Sequence, residues 1–580
     1  MKLKCALLSF VFLFLASLQG HSQKFVWGKA FLATGENGAQ NSSIATGKNC
    51  EFIGGYYDTQ IDVGGTILKA HSDLDGFLAK LDTSGAVLWA RTLGAARSGY
   101  IFSVEADVDG NFYAAGEFSD SLFLKTDTLV SDKIFNGIVE KYDSIGNLTW
   151  IKLFPDRRVW RLTTNQQGDL FLMGDDFTQP GSLMSWIAKY DKYGNQIYDR
   201  ILTNDGFIPA NFAVDAKGDT YISGLAGYQV QVGNIKYTGS MDGSFIIVKC
   251  NAAGNPIRVM QVENIPASGA WYTSSIAVDG LGNIYHNTYQ DMLSLSKRDS
   301  NGNILWSLRD DTKNIGMKTL MIDDRGGLLV SGRFVGTFSL GSVNFSSPSQ
   351  SMFIASFTAN GQCKWLLNGN NENFDYAFDA ARSRQTGDLY TAGYLYSKSP
   401  TFGEITLTDP GLSGRAFVLK VDIDPSYRRL SLDLGDDFYL CTDESVDYKL
   451  KGFASYEWQD GSTDSTMQVI NPGEYYVKAV DWTGYVYRDT VQARECFEPI
   501  IPNVITPNGD AYNQLFVVQG LDLSLSNPLI ILNRWGERVF ETTAYENNWA
   551  ADGLNTGIYF YELQSASTKR TYRGWVQVLR

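Results

Sequence analysis

The chain has 580 residues, 44% hydrophobic and 13% aromatic, with 57 glycines and a formal net charge of −14. This is too apolar for a disordered chain and long enough for several packed cores, and glycine above the roughly 7% average predicts many short turns and an all-β protein. So acidic a surface gives no electrostatic reason to expect nucleic acid or anionic lipid as partner.

In chain order, Met1 to Ser22 opens with Lys2 and Lys4, continues through the apolar run Ala6 to Ala16 and ends in small and polar residues. A basic head, a short apolar centre and a polar exit predict a secretory signal peptide over residues 1–22, with a retained N-terminal anchor as the alternative. Its removal takes away two lysines and no acids, leaving a charge of about −16. No later stretch reaches about 18 consecutive apolar residues, so no transmembrane segment is expected after signal removal. Of six cysteines, Cys5 leaves with the signal and Cys50, Cys250 and Cys363 are scattered. Cys441 and Cys496 flank a compact segment, and an oxidising destination permits a disulfide between them; two separate buried thiols are the alternative.

Residues 23–430 alternate two half-motifs. The first is an apolar strand ending in Lys, then Asp, a Gly turn and an aromatic strand, as in FLAKLDTSGAVLW to Trp89, IVEKYDSIGNLTW to Trp150 and LSLSKRDSNGNILW to Trp306. The second is D-x-x-G followed by alternating aromatic and small residues, as in DVDGNFYAAGEF from Asp107 and DAKGDTYISG from Asp215. Both read as tight hairpins, and seven copies of each are recognisable, the last first-half being cut short after Asp422. The missing strand has its match at the other end of the chain, where Phe25-Val26-Trp27-Gly28 parallels Val87-Leu88-Trp89-Ala90. A period of roughly 48 to 64 residues with about four strands fits a propeller blade. The expected fold is a seven-bladed β-propeller closed by its N-terminal strand, which removes two open edges. The repeats resemble the bacterial β-propeller family whose units carry a GNxYxxG signature. Copy five departs most, with Thr288 where the others have Gly55, Gly116, Gly174, Gly224, Gly332 and Gly393.

The repeated residues read as scaffold. Asp107, Asp215, Asp279 and Asp323, like Asp82, Asp143, Asp191 and Asp299, stand three residues before a Gly; binding their own turn amides explains them better than calcium, which would need several oxygens converging from one loop. Lys80, Lys141, Lys189, Lys249, Lys297 and Lys420 read as blade-surface residues with packed stems, and Trp89, Trp150, Trp306 and Trp365 as packing within or between blades. Function is expected instead in the irregular stretches 57–75, 119–136, 228–242, 335–350 and 394–414, whose shared look suggests hairpin extensions. Catalysis has little support: the mature chain keeps only His71 and His286, not at ligand spacing, and His286 reads as a satisfied internal residue. There is no P-loop, nucleophile elbow or dinucleotide fingerprint. No metal and no cofactor are expected.

Residues 431–496 read as six or seven short strands of a small β-sandwich, with Tyr456, Trp458, Tyr475 and Val477 at core positions. The stretch YEWQDGSTDSTMQVINPGEYYV resembles the immunoglobulin-like or PKD-like modules that act as spacers in bacterial surface proteins. Residues 497–580 form another small β-domain whose last strand reaches the terminus. Its T-P-N-G-D element (Thr506, Pro507, Asn508, Gly509, Asp510), N-R-W-G element (Asn533, Arg534, Trp535, Gly536), Trp549, G-x-Y-x-Y element with Gly557 and Tyr559, and closing Gly574-Trp575 are similar to the gliding-motility-associated C-terminal domain, the type B sorting signal of type IX secretion in Bacteroidota. Ala511, Gln514 and the inserted Ala550-Ala551 depart from that pattern and put any cation role of the loop in doubt. The resemblance implies export through the periplasm, the type IX machinery as partner, and an extracellular or cell-surface location. The expected function is a binding or adhesion protein presenting the propeller to an extracellular glycan or protein. The alternative is a polysaccharide hydrolase or lyase acting at the propeller channel, and a third reading is a purely structural envelope component.

Overall fold

Every regular element among the described residues of the computed structural model is a β-strand. Those residues are 23–580, apart from 36–37, 125–127, 180–182, 204–205, 265–272, 290–292, 311–314, 341–342, 370–374, 398, 408–413, 424–429 and 442. The expected signal peptide lies outside them. The chain divides into two compact units, Met1–Leu430 with Trp482–Tyr485, and Ser431–Asp481 with Val486–Arg580.

In the first unit one four-stranded antiparallel array recurs. It begins with Ala39–Gly47, Cys50–Tyr57, Asp75–Asp82 and Val87–Thr92, and the later arrays start at Ser98, Arg157, Phe207, Thr273, Ile315 and Tyr376. The last contains Tyr376–Arg382, Leu389–Leu395 and Arg415–Asp422; the N-terminal strand Lys24–Ala33 lies along its outer edge, antiparallel to Arg415–Asp422. Trp27 stands opposite Lys420 there, as Trp89 stands opposite Lys80 and Trp150 opposite Lys141. The first strand of each array packs against that of the next, and Tyr376–Arg382 packs against Ala39–Gly47. Side chains bridge this last junction: Ser43 Oγ donates to Asp379 Oδ2 (2.7 Å) and Thr46 Oγ1 to Arg382 O (2.9 Å). No sheet among the described residues closes on itself.

The recurring glycine has a mechanical cause. Six first strands carry one extra residue, namely Ser42, Phe102, Trp160, Ala210, Lys318 and Phe378, a β-bulge that turns its side chain out of the regular alternation. Opposite each bulge stands Gly55, Gly116, Gly174, Gly224, Gly332 or Gly393, where a Cβ would collide with a carbonyl oxygen of the bulged strand, Gln40 O at Gly55 and Tyr100 O at Gly116. The fifth array has Thr288 at this place, and its first strand, Thr273–Val278, pairs without any register shift. Copy five is therefore an unbulged sheet with room for a side chain.

The other repeated residues form a clip between arrays. Asp107 Oδ1 accepts hydrogen bonds from Asp109 N (3.0 Å) and Asn111 N (2.9 Å), and Asp82 Oδ1 from Ser84 N and Ala86 N (both 2.9 Å), as a self-capped turn requires. Two of the repeat lysines, Lys141 and Lys297, are interior clips, not the surface residues with packed stems that the sequence suggests. Lys141 lies over Tyr113 (4.9 Å), faces Asp107 (3.7 Å) and donates to Lys192 O of the next array (2.6 Å); Lys297 repeats the pattern over Tyr285 and toward Asp279. Both are buried because a ring and a turn acid, far away in sequence, together replace water. The outer aromatic of one array covers the turn glycine of the next: Trp89 at Gly146, Trp150 at Gly194, Trp306 at Gly361 and Trp27 at Gly85.

Hairpins do leave the second strand of several arrays, as the irregular stretches suggest: Gln60–Val63 with Thr66–Lys69, Ser121–Phe123 with Thr128–Val130, Gln229–Val232 with Ile235–Thr238, and Thr401–Phe402 with Ile405–Thr406. They fold back on neighbouring strands, burying Ile61, Val63, Leu122, Val230, Val232 and Phe402. Much of their content is therefore packing.

In the second unit, Phe438–Leu440, Val486–Glu495, Gly473–Val480 and Ser455–Trp458 form one sheet and Val446–Lys449 with Thr466–Val469 another. Their apolar faces share Leu434, Trp458, Val477 and Val491, with Tyr456 and Tyr475 half-buried at the margin. Cys441 and Cys496 are joined by a disulfide. The remaining sheet runs Val504–Ile505, Arg570–Val578, Gly557–Ser565, Leu529–Leu532 and Arg538–Thr542, over a core that includes Phe516, Tyr545 and Trp549.

Candidate functional site: an aromatic rim above enclosed charges

The first strands of the arrays starting at Ser98, Arg157 and Tyr376, with Tyr56, Tyr394 and Tyr396 beside them, present an aromatic surface. Tyr56 meets Tyr100 edge-on (5.1 Å), Tyr100 stacks with Phe102 (5.6 Å), and Phe102 meets Trp160 (4.6 Å). Tyr376 stacks with Phe378 (5.7 Å), and Tyr394 packs edge-on against Tyr396 (4.6 Å). Phe102, Trp160 and Phe378 are bulge residues, and all the rings from Tyr56 to Trp160 remain partly exposed. Polar groups fix the rim. Trp160 Nε1 donates to Asp175 Oδ2 (2.6 Å), while Arg158 pairs with Glu117 (2.6 Å) and lies over Phe135 (4.0 Å), 5.4 Å from Trp160. Burial pushes the carboxyls of Glu117 and Asp175 up, against the opposing pull of Arg158 on both and the Trp160 hydrogen bond on Asp175.

The same strands also carry Arg161, Asp379 and Glu105, and the first strand Ile315–Ile322 carries Lys318. Asp379 accepts from Ser43 Oγ (2.7 Å), Ile44 N (3.2 Å), Thr319 Oγ1 (3.3 Å) and Ala380 N (2.9 Å); burial raises its carboxyl while the charge of Arg161 opposes the rise. Burial, with Asp379 adding to it, pushes Glu105 up to about 7. Lys318 is pushed down to about 8 by burial and by the charges of Arg333 and Arg161. An Asp whose oxygens already take four hydrogen bonds is a poor proton shuttle, so this carboxylate pair suits general acid–base chemistry badly.

The two histidines are apart. His71 Nδ1 lies 3.2 Å from Asp75 near the surface. His286 is buried, its Nε2 2.9 Å from Ser274 Oγ, and burial holds it down at about 3, so it is neutral. It is not the satisfied residue expected from the sequence: its Nδ1 has no hydrogen-bond partner among the described residues.

In the C-terminal segment, Asp510 Oδ1 accepts from Tyr512 N (2.7 Å), Asn508 Nδ2 donates to Asp510 Oδ2 (3.0 Å), and Thr506 N donates to Asn513 O (2.7 Å). The Gln514 amide nitrogen stands 3.0–3.2 Å from Thr506 O, Asn508 Oδ1, Asp510 Oδ1 and Tyr512 O. A neutral amide thus lies among the loop oxygens, next to Pro507 and Gly509. Asn533 caps its turn from Trp535 N and Glu537 N (both 3.0 Å), with Arg534 over the exposed Trp535 ring (4.1 Å) and Gly536 at φ 86°. Trp549 and Tyr559 are buried, and Tyr559 donates to Asn555 O (2.9 Å). Gly557 starts its strand, and Gly574 leaves the space occupied by the Tyr561 hydroxyl.

Residues 499–578 match the family model of the CHU_C type IX secretion signal domain. The protein is secreted. Such a domain directs export to the cell surface or the extracellular space through the type IX machinery. No curated protein matches the sequence. Among solved structures, the chain is similar to the Dos1 propeller (TM-score 0.36, 11% identity, covering 68% of this chain and 94% of that one). It is also similar to a protein from Lactobacillus plantarum (TM-score 0.34, 12% identity, 60% and 96% covered) and one from Dyadobacter fermentans (TM-score 0.34, 9% identity, 69% and 99% covered). Among its described residues the first unit is all-β, built of repeated four-stranded arrays.

Of the rim residues only Tyr394 and Tyr396 fall in the stretches where the sequence places function. The usable signal was aromatic residues clustered just before the glycine turn of the second half-motif, in SGYIFSVEADVDG and YAFDAARSRQTG.

Proposed function

We propose that this is a secreted binding protein whose first unit is a seven-bladed β-propeller, closed by the strand Lys24–Ala33, that presents its aromatic rim to an extracellular glycan. In this reading residues 431–496 are an immunoglobulin-like or PKD-like spacer. Residues 497–580 are a sorting domain of the gliding-motility-associated kind, read by the type IX machinery through the elements Thr506 to Asp510 and Asn533 to Gly536. The observation that carries the glycan reading is the continuous run Tyr56, Tyr100, Phe102 and Trp160, with ring centroids 4.6–5.6 Å apart and adjoining Arg158, Glu117 and Asp175. Ring faces cover the apolar faces of pyranoses, and charged groups beside them orient hydroxyls. The hydrolase reading would rest on Glu105 and Asp379, and the four hydrogen bonds already made to Asp379 weigh against it.

A glycan array probed with the mature chain tests this. We expect binding to a defined set of oligosaccharides, weakened at least about tenfold in Trp160→Ala and Tyr100→Ala, since a stacking contact contributes about 1.4 kcal/mol or more. Substitution of the exposed hairpin residues Ile67 and Val130 should leave it unchanged. Binding that follows these hairpin residues and ignores Trp160 would place the site elsewhere.

A further inference from the structure

We infer that the space enclosed by the first strands holds an anion site formed by Lys318, Arg161 and Arg333, which takes the carboxylate of an acidic saccharide. This rests on the glycan reading of the rim and names its substrate class.

Lys318 is the bulge residue of its strand, at the place held by Phe102, Trp160 and Phe378 in other arrays. The same break in alternation that sends those rings inward sends its ammonium there. The repeat lysines each have a partner: Lys80 donates to Ser144 O, and Lys141, Lys189, Lys249, Lys297 and Lys420 face turn acids at 2.8–3.7 Å. Lys318 has no hydrogen bond or ion pair to a described residue. Its charged neighbours repel it. Arg161, one residue past the adjoining bulge of its own strand, donates to Phe102 O (3.3 Å), and Arg333 lies over Tyr376 (4.7 Å). The nearby acids offset this cluster only in part, because Asp379 is shared with Arg161 and with four hydrogen-bond donors and Glu105 is half neutral near pH 7.

A protein of net charge −14 that concentrates three cations in one enclosed place, one of them unpaired, has built a field for a negative ligand. Guanidinium and ammonium groups bind carboxylates strongly when water is displaced. Arg333 on Tyr376 joins this site to the rim, so a chain stacked on the rings can reach it with an acidic group. A uronic acid combines the two chemistries.

The test compares oligogalacturonate with its fully methyl-esterified form, which has the same rings and no charge, by titration at pH 7 into the mature chain. The acid should bind at least tenfold more tightly, and Lys318→Met and Arg333→Gln should each erase most of that preference while keeping a cooperative melting transition. Trp160→Ala should weaken both forms. Equal affinity for acid and ester, still dependent on Trp160, would overturn the anion site and leave the glycan reading standing. Binding of neither form would overturn both for this class of sugar. A preference for the acid that survives in both charge variants would place the carboxylate elsewhere and overturn the inference.

Discussion

Deleting Lys24–Ala33 should lower the melting temperature of the mature chain by more than about 10 °C, because the strand supplies the outer edge of the last array and buries Phe25 and Phe31. Losing one such ring costs roughly 3–5 kcal/mol, and this deletion loses two together with the ladder to Arg415–Asp422. Trp27 adds a junction of its own, covering Gly85 and donating to Thr83 O (3.1 Å) of the first array. Phe31→Ala is the milder version, with an expected loss of about 3 kcal/mol and a cooperative transition several degrees lower. Calorimetry on both variants checks this. A deletion variant melting within about 2 °C of the intact chain would show that the N-terminal strand is dispensable, against the closure proposed above.

The chain should be more stable at pH 5 than at pH 8. Burial pushes Glu51, Glu105 and Glu140 to about 7, against about 4.3 in an unfolded chain. Between those values the folded state holds more protons than the unfolded one, so stability falls as pH rises through the window. His286 acts oppositely: held down at about 3, it contributes stability as pH rises from 3 to about 6.5. One histidine against three carboxylates leaves a net loss above pH 5. Allowing roughly 1–2 kcal/mol for each carboxylate, below the full value of the shift, the balance is about 3 kcal/mol or a few degrees in melting temperature. Glu140, whose carboxylate accepts from Tyr142 OH (2.8 Å), offers the control: Glu140→Gln should flatten part of the slope. A melting temperature that rises between pH 5 and pH 8 would contradict the assignment.

Scaffold was easier to read from the chain than site, for a physical reason. Asp82, Gly85, Lys80 and Trp89 recur because every array needs the same turn and the same clip, and a repeated need leaves a repeated residue. The likeness of Phe25–Gly28 to Val87–Ala90 was visible for the same reason, and the two strands share a register. Most of the rim was not visible, because Tyr100, Phe102, Trp160, Tyr376 and Phe378 lie between the half-motifs, where the bulge frees one position from any packing role. Ser42, Phe102, Trp160, Ala210, Lys318 and Phe378 share a place and nothing else. The irregular hairpins attracted functional expectations by their variability, yet Ile61, Val232 and Phe402 vary as packing does, each fitted to its own neighbours. The burial of Lys141 and Lys297 escaped notice because it depends on rings and acids brought together only by the sheet.

Hydrogen exchange of the mature chain, with and without the strongest array-positive oligosaccharide, tests most directly where the ligand sits. Protection should concentrate in Ser98–Ala106, Arg157–Thr164 and Tyr376–Arg382, the strands that hold Phe102, Trp160 and Phe378. Protection confined to the hairpins Gln60–Lys69 and Ser121–Val130, with those three strands unchanged, would contradict the account.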